Sequence, residues 1–350
     1  MTTSIVDIFK AYKNQSDGDY NSVTTEYATL DIEWIKKVGN QVISADTSWG
    51  NATADLRNLL ILIKGDLTVN AGVTLTAAAR KRGMFIYVNG DLNLNGIISM
   101  TARGASAAGQ RLLICNIGAD YEVPAAGGAG GAGAAVNAGA AGGTAGTSGV
   151  ATGACGGGGG GAAASYTYNA YGGYGVAGTS YSGGGGGGGG VTRNGGMTRG
   201  DATVNGGAGG NGAGNDTAGA AGGGAGNNGG TPYTAGGSAQ SGGNGTGGLL
   251  VVYIRGKLTV GANGKFNSTG TAGGDATSGT EKAGGGGSGG GHVDIFYGEL
   301  TGSIVYTLTG GNAGTGTYTT GKGGDGSSRA TQVSLPDLFA SGGAFLLNFI

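Results

Sequence analysis

The sequence predicts an all-β protein: parallel β-solenoid-like rungs with long glycine-rich insertions packed as a polyglycine II helix bundle, behind a small N-terminal attachment module. Three observations lead there. Residues 59–77 (LLILIKGDLTVNAGVTLTA) are matched at an offset of 25 residues by residues 84–102 (MFIYVNGDLNLNGIISMTA). Glycine supplies 89 of 350 residues, against 3 prolines and 11% charged residues. Finally, glycine-rich excursions leave the chain after strand-like segments that align on one another. An antiparallel sandwich built from hairpins is the competing arrangement for the same strands.

Residues 1–55 differ from everything that follows. They are charged, nearly free of glycine repeats, and hold both tryptophans, Trp34 and Trp49. This stretch reads as an N-terminal attachment or capping module. Within it, residues 25–38 place Leu30, Ile32, Trp34, Ile35 and Val38 at roughly helical spacing, and a strand fits them nearly as well. The first twenty residues lack a basic segment followed by an apolar run, so no signal peptide is expected.

Residues 56–124 carry the repeat. At an offset of 25, Gly65 falls on Gly90, Asp66 on Asp91, Leu67 on Leu92, Val69 on Leu94, Val73 on Ile98 and Leu75 on Met100. Related rungs are expected at 112–118 (LLICNIG), 250–260 (LVVYIRGKLTV) and 292–308 (HVDIFYGELTGSIVYTL). Each is an apolar strand ended by glycine, followed by a strand that alternates apolar and polar positions. Asn89-Gly90, Asn95-Gly96 and Asn263-Gly264 supply corner chemistry, because both residue types tolerate turn conformations that others resist.

Residues 125–248 form the largest glycine-rich stretch, with unbroken runs at 156–161 and 183–190. Glycine loses the most backbone entropy on ordering and offers no apolar surface in return, so such a stretch is either disordered or ordered by backbone contacts. Extended chains with three residues per turn pack closely where glycine faces a neighbour, and this defines the expected polyglycine-helix domain. Residues 249–330 hold the remaining β rungs with two further excursions, at 256–298 and after residue 308. If the strands stack, all three excursions start from neighbouring points and make one module. Residues 331–350 are apolar (Leu335, Leu338, Phe339, Phe345, Leu346, Leu347, Phe349, Ile350) and read as a closing cap or as a segment inserted into a partner subunit.

The chemistry available is sparse. His292 is the single histidine, so any nucleophile relay would hang on one residue at the start of a strand, and metal sites built from Cys/His clusters are not expected. Cys115 and Cys155 are read as thiols or, alternatively, as a disulfide stapling the glycine-rich stretch. Asp66 and Asp91 would stack on adjacent rungs, as a carboxylate pair or, more simply, as solvated corners. Gly323-Gly324-Asp325-Gly326 is a single copy of a calcium β-roll-like repeat, too little for a site. With a formal net charge of −1 and no lysine between Lys81 and Lys257, nucleic-acid binding is not expected. No stretch of 18 apolar residues predicts a membrane span. The chain is therefore read as non-enzymatic, with no cofactor and no metal.

A surface does stand out. Between the two glycine runs lie Tyr166, Tyr168, Tyr171, Tyr174 and Tyr181, and just beyond the second lie Arg193, Asn194, Met197, Arg199 and Asp201. Tyrosine among serine, glycine and asparagine is the composition of adaptable recognition loops. The plain alternative is that these tyrosines fill gaps between glycine strands. Pro232, Tyr233 and Tyr318 are candidates for neighbouring loops.

Over residues 115–330, glycine runs interrupted by short aromatic loops behind a non-repetitive N-terminal module resemble the glycine-rich receptor-binding adhesins at the tail-fibre tips of T-even-like bacteriophages. The resemblance implies a sandwich of polyglycine helices whose loops, here residues 166–182 and 191–201, bind a bacterial surface receptor, either an outer-membrane protein or a glycan. It also implies other virion tail proteins as partners of the N-terminal module, a possible homo-oligomer, and a virion tail location after synthesis in the host cytoplasm. The chain departs from that pattern in its β rungs and in the placement of glycine tracts as insertions within them. Two other classes stay open: a purely structural tail, baseplate or capsid-decoration protein, and an ice-binding protein in which Thr74/Ser99 and Thr76/Thr101 stack in rows.

Overall fold

The computed structural model describes residues 3–14, 18–20, 32–53, 57–104, 112–113, 191–192, 213–214, 246–275, 285–315 and 321–340. After β1 (Thr3–Ser4) comes α1 (Ile5–Tyr12), whose apolar residues Ile5, Val6, Ile8, Phe9 and Tyr12 recur at three- and four-residue intervals and are all buried. Asp7 and Lys10 occupy the exposed side and pair at 2.9 Å. β2 (Gly18–Tyr20) lies antiparallel against β3 (Ile32–Lys37). Every other pairing between described strands is parallel.

β3, β4 (Gln41–Ile43) and β5 (Thr47–Trp49) make one turn of chain. They pair in turn with β6 (Asn58–Ile63), β7 (Leu67–Val69) and β8 (Thr74–Ala77). Those pair with β9 (Gly83–Val88), β10 (Leu92–Leu94) and β11 (Ile97–Ser99). The N-terminal strands at 32–49 are thus built into the same sheets as the repeat.

β12 (Leu112–Leu113) pairs with β1, and β13 (Val191–Thr192) pairs with β14 (Ala213–Gly214). The stack resumes at β15 (Leu249–Val260), whose first half lies on β9 and second half on β10. β16 (Lys265–Asn267) follows on β11, β17 (His292–Thr301) on β15, β18 (Tyr306–Thr307) on β16, and β19 (Ser327–Gln332) on β17.

These pairings collect into a ten-stranded and a five-stranded sheet that curl toward each other as a half-barrel. The all-β solenoid of glycine-rich rungs is therefore corrected to a mostly parallel, α/β-type arrangement. Burial shows the physical reason. A solenoid strand buries its inward face and wets the other, whereas β6 and β9 are buried along all six residues. Leu59, Ile61, Met84, Ile86, Leu250 and Val252 fill the core between the sheets. Their neighbours Leu60, Leu62, Phe85, Tyr87, Val251 and Tyr253 form a second core on the opposite face, against α1 and the C-terminal Leu335 and Leu338. Phe9 joins the aromatic side chains there, 5.5 Å from Trp34 and 5.4 Å from Tyr87 between ring centroids. The expected polyglycine bundle rested mainly on residues 125–248, nearly all of which lie outside the described residues.

Two register expectations are also corrected. Leu67 does sit beside Leu92 and Val69 beside Leu94, but the next strand slips: Leu75 pairs with Ile98 rather than Met100. The corner after Val69 holds the turn Asn70-Ala71-Gly72-Val73, with Gly72 at φ 81°, where the next repeat turns through Asn95-Gly96 alone. Two residues are absorbed there. As a result Thr76 lies beside Ser99 and Thr74 beside Ile97, so the threonine rows of an ice-binding face do not form as expected. Leu112 and Leu113 do not take the next rung either, since they pair with β1 and Leu250 occupies the place beside Met84; residues 114–118 lie outside the described residues.

Candidate functional site

Four glycine-rich segments, residues 268–275, 285–291, 308–315 and 321–326, extend from β16 and β18 and lead into β17 and β19. With few side chains, they are held by backbone hydrogen bonds. Gly270 and Gly273 donate to Thr309 O (2.9 Å) and Asn312 O (2.9 Å); Gly311 and Gly314 donate to Ser288 O (2.7 Å) and Gly285 O (2.9 Å). Gly323 and Gly326 donate to Gly311 O (3.0 Å) and Leu308 O (2.6 Å). Donors three residues apart face the same neighbour, the spacing of an extended three-fold chain. Asp325 and Asp275 close remaining gaps by accepting from Gly310 N (2.9 Å) and Thr315 N (2.6 Å).

This packing fixes where the excursions begin. Residues 276–284 are bounded by Asp275 and Gly285, and residues 316–320 by Thr315 and Gly321. Those ends are tied by Gly285 N to Gly274 O (3.1 Å), Gly314 N to Gly285 O (2.9 Å) and Gly287 N to Gly321 O (2.9 Å). The chain between Gly104 and Thr246 also starts and returns at one place, since Gly104 donates to Thr246 O (3.0 Å) and Gly247 to Gly289 O (3.1 Å). The expected recognition residues Tyr166, Tyr168, Tyr171, Tyr174, Tyr181, Arg193, Asn194, Met197 and Arg199 lie outside the described residues. So do Asp201, Pro232, Tyr233, Tyr318, Cys115 and Cys155.

A buried polar cluster joins the last two long strands. His292 and Asp294 on β17 are aligned with Ser327 and Arg329 on β19. His292 Nδ1 is 2.8 Å from Ser327 Oγ, while its Nε2 stands 4.0 Å from Asp294 Oδ2. Arg329 grips that carboxylate through Nε (2.9 Å) and Nη2 (2.6 Å), and stacks its guanidinium 5.2 Å from the Phe296 ring centre. Complete burial pulls the imidazole pKa down to about 4, with nearby Asp294 pulling it up and Arg329 down. Burial, with Asp294 and Tyr297 close by, pushes the Tyr306 phenol up. In a Ser-His-Asp relay the carboxylate orients the imidazole. Here that carboxylate is spent on a guanidinium, and the imidazole is sealed from solvent.

One further arrangement went unseen in sequence, and a second was seen only in part. Lys81 and Glu33 form a buried ion pair at 2.6 Å, with side chains 0% and 2% exposed. Glu33 Oε1 also accepts the Asn51 N–H. The Gly-Asp corners make a ladder: Asn40 Oδ1 accepts Asp66 N–H (2.9 Å), Asp66 Oδ1 accepts Asp91 N–H (2.8 Å), and Asp91 Oδ1 accepts Lys257 N–H (2.7 Å). Asp66 and Asp91 do stack, each with one oxygen committed to the backbone of the next turn. A side chain at Gly90 would collide with Asp66 Oδ1, which is why glycine stands before the aspartate.

Among the described residues no group of three or more His, Cys, Asp or Glu could hold a metal ion. No helix among them is long and apolar enough to cross a membrane. Comparison of the chain with protein-family models, curated proteins and solved structures finds no match.

Proposed function

We propose that this protein is a non-enzymatic adhesin of the glycine-rich phage-tail kind, which recognises a bacterial surface receptor through loops displayed on a rigid glycine-rich scaffold. One observation carries the reading: the excursions of the chain start from points tied together by backbone hydrogen bonds. A scaffold held by main-chain bonds leaves its loops free to vary, because no side chain in them is needed to hold the base together. Tyrosines and arginines on such loops give contact area and directed polar groups at low entropic cost.

The test is adsorption of purified protein to intact bacterial cells. Replacing Tyr168, Tyr171 and Tyr174 together by Ala is expected to lower cell binding at least tenfold while leaving the melting temperature unchanged. Full binding by that variant overturns the loop assignment. Absence of binding to any host of a related phage favours a structural role in the virion instead.

A further inference from the structure

At the corner between the two halves of the ten-stranded sheet lies a surface cleft of about 600 Å³, lined by Asp91, Arg255, Lys257, Glu299, Gln332 and Ser334, with Gly256 and Gly298 also in its lining. The chain builds it as follows. β15 and β17 each turn the corner through a glycine, Gly256 and Gly298, and a side chain at Gly298 would stand 2.5 Å from Arg255 O. After β19 the chain crosses back over this corner and supplies the opposite wall. Val333 N–H donates to Tyr297 O (2.9 Å), Gln332 Nε2 to Gly298 O (2.8 Å), and Arg255 Nη2 meets Asp337 Oδ2 at 3.1 Å. Asp337 is itself held by Asn89 Nδ2 (3.0 Å), and that hydrogen bond, first among several causes, lowers its pKa. Both walls are fixed before any ligand arrives.

Gln332 and Arg255 are thus held in the walls, and the charged side chains left uncommitted among the described residues are those of Lys257 and Glu299. Lys257 and Glu299 stand side by side in register. Neither side chain enters a hydrogen bond or ion pair among the described residues. Asp91 spends Oδ1 on Lys257 N–H and keeps Oδ2. Asp91 just before β10, Lys257 on β15 and Glu299 on β17 therefore stand on three neighbouring rungs about 4.8 Å apart, the lysine position between the two acidic ones, with Ser334 in the opposite wall. Two cations against two carboxylates, one cation already held by Asp337, make a poor trap for phosphate or sulfate. Val333 is the single large apolar side chain in the lining, too little for an apolar ligand. A hydroxyl donates and accepts at once, so a ring bearing several of them satisfies ammonium and carboxylates together. We propose that this cleft is a binding subsite for one or two neutral sugar residues, separate from the tyrosine-bearing segments.

The experiment is saturation-transfer NMR with titration, on the full chain, using maltotriose, chitotriose and mannotriose, with inorganic phosphate and a sulfated disaccharide alongside. At least one neutral trisaccharide is expected to bind. Lys257→Ala and Glu299→Ala should each weaken that binding at least fivefold, and Ser334→Trp, which fills the cleft from its exposed wall, should abolish it. The variant lacking Tyr168, Tyr171 and Tyr174 should bind the sugar unchanged, which separates this site from the loops. The idea is overturned if no neutral sugar binds, if phosphate or the sulfated sugar binds more tightly, or if binding survives Ser334→Trp in protein that melts normally.

Discussion

Substituting Gly311 by Ala should show whether the glycine segments are held by contact between backbones. A methyl carbon at residue 311 would stand 1.8 Å from Thr271 O and 2.3 Å from Thr271 C, where ordinary van der Waals contact begins at 3.4 Å. One of the two segments must retreat by about 1.6 Å. Gly311 is also a junction, since it donates to Ser288 O (2.7 Å) and accepts from Gly323 N (3.0 Å). Losing two hydrogen bonds among neighbours that offer no replacement costs about 1 kcal/mol each, and overpacking adds about 1–3 kcal/mol, for a total of about 3–5 kcal/mol. Denaturant unfolding gives the size of the loss, and amide exchange gives its place. Protection should fall at Gly314, Gly323 and Gly326 before it falls in β6 or β9. Asn312→Ala, at the exposed neighbouring position, is the control and should stay within about 0.5 kcal/mol of the parent. A Gly311→Ala variant within that same margin, with unchanged protection, would falsify backbone packing as the organising force.

The remaining predictions concern the buried charges. His292 has a folded pKa of about 4 against 6.5 when unfolded, so the unfolded chain binds its proton more readily. Stability is then complete above about pH 6.5 and declines as pH falls toward 4, by about 3 kcal/mol in all. Urea midpoints measured from pH 7.5 to 4.5 should show that slope, and His292→Gln should flatten it; an equal slope in the variant would reassign the acid sensitivity. Lys81→Met leaves the Glu33 carboxylate buried beside an uncharged neighbour and should cost about 3–5 kcal/mol. Adding Glu33→Gln, which keeps the acceptor for Asn51 N–H, should restore most of that loss, and a double variant no better than the single would refute pairing as the cause.

Legibility in the sequence followed the length and apolar content of each element. The 25-residue offset places Leu59 beside Met84 and Leu67 beside Leu92 because six-residue apolar strands and shared Gly-Asp corners leave no other register. The three- and four-residue strands that follow carry too little pattern to reveal two extra residues at the Gly72 turn. α1 has its stripe at Ile5, Ile8, Phe9 and Tyr12, but eight residues give barely two turns of periodicity, so the layer it adds stayed hidden. β19 reads SSRATQ and has no apolar alternation at all. It is a strand because β17 offers an edge and because Arg329 and Ser327 complete Asp294 and His292, a dependence that 35 residues of separation conceal. Its one visible trace was Asp294 in HVDIFY, at the position that Trp34, Leu60, Phe85 and Val251 hold on the preceding strands.

That same dependence links the apolar core to the glycine segments. Ser268 follows β16, is fully buried, and donates from Oγ to Gly248 O (2.6 Å), at the entry to β15. Gly291, the residue before β17, donates to Ser268 O (2.8 Å), and Ser327 at the start of β19 donates to Gly291 O (3.1 Å). Each glycine segment therefore takes its register from a strand whose own register is set by buried leucine, valine and isoleucine side chains. Glycine pays for close packing with conformational entropy and cannot choose among equivalent registers by itself, since every position looks alike. Strands on one side and polar hooks such as Asp275 to Thr315 N and Asp325 to Gly310 N on the other remove that degeneracy. A glycine-rich platform of this kind is specified from its ends, which is why its interior composition carries so little of its structure.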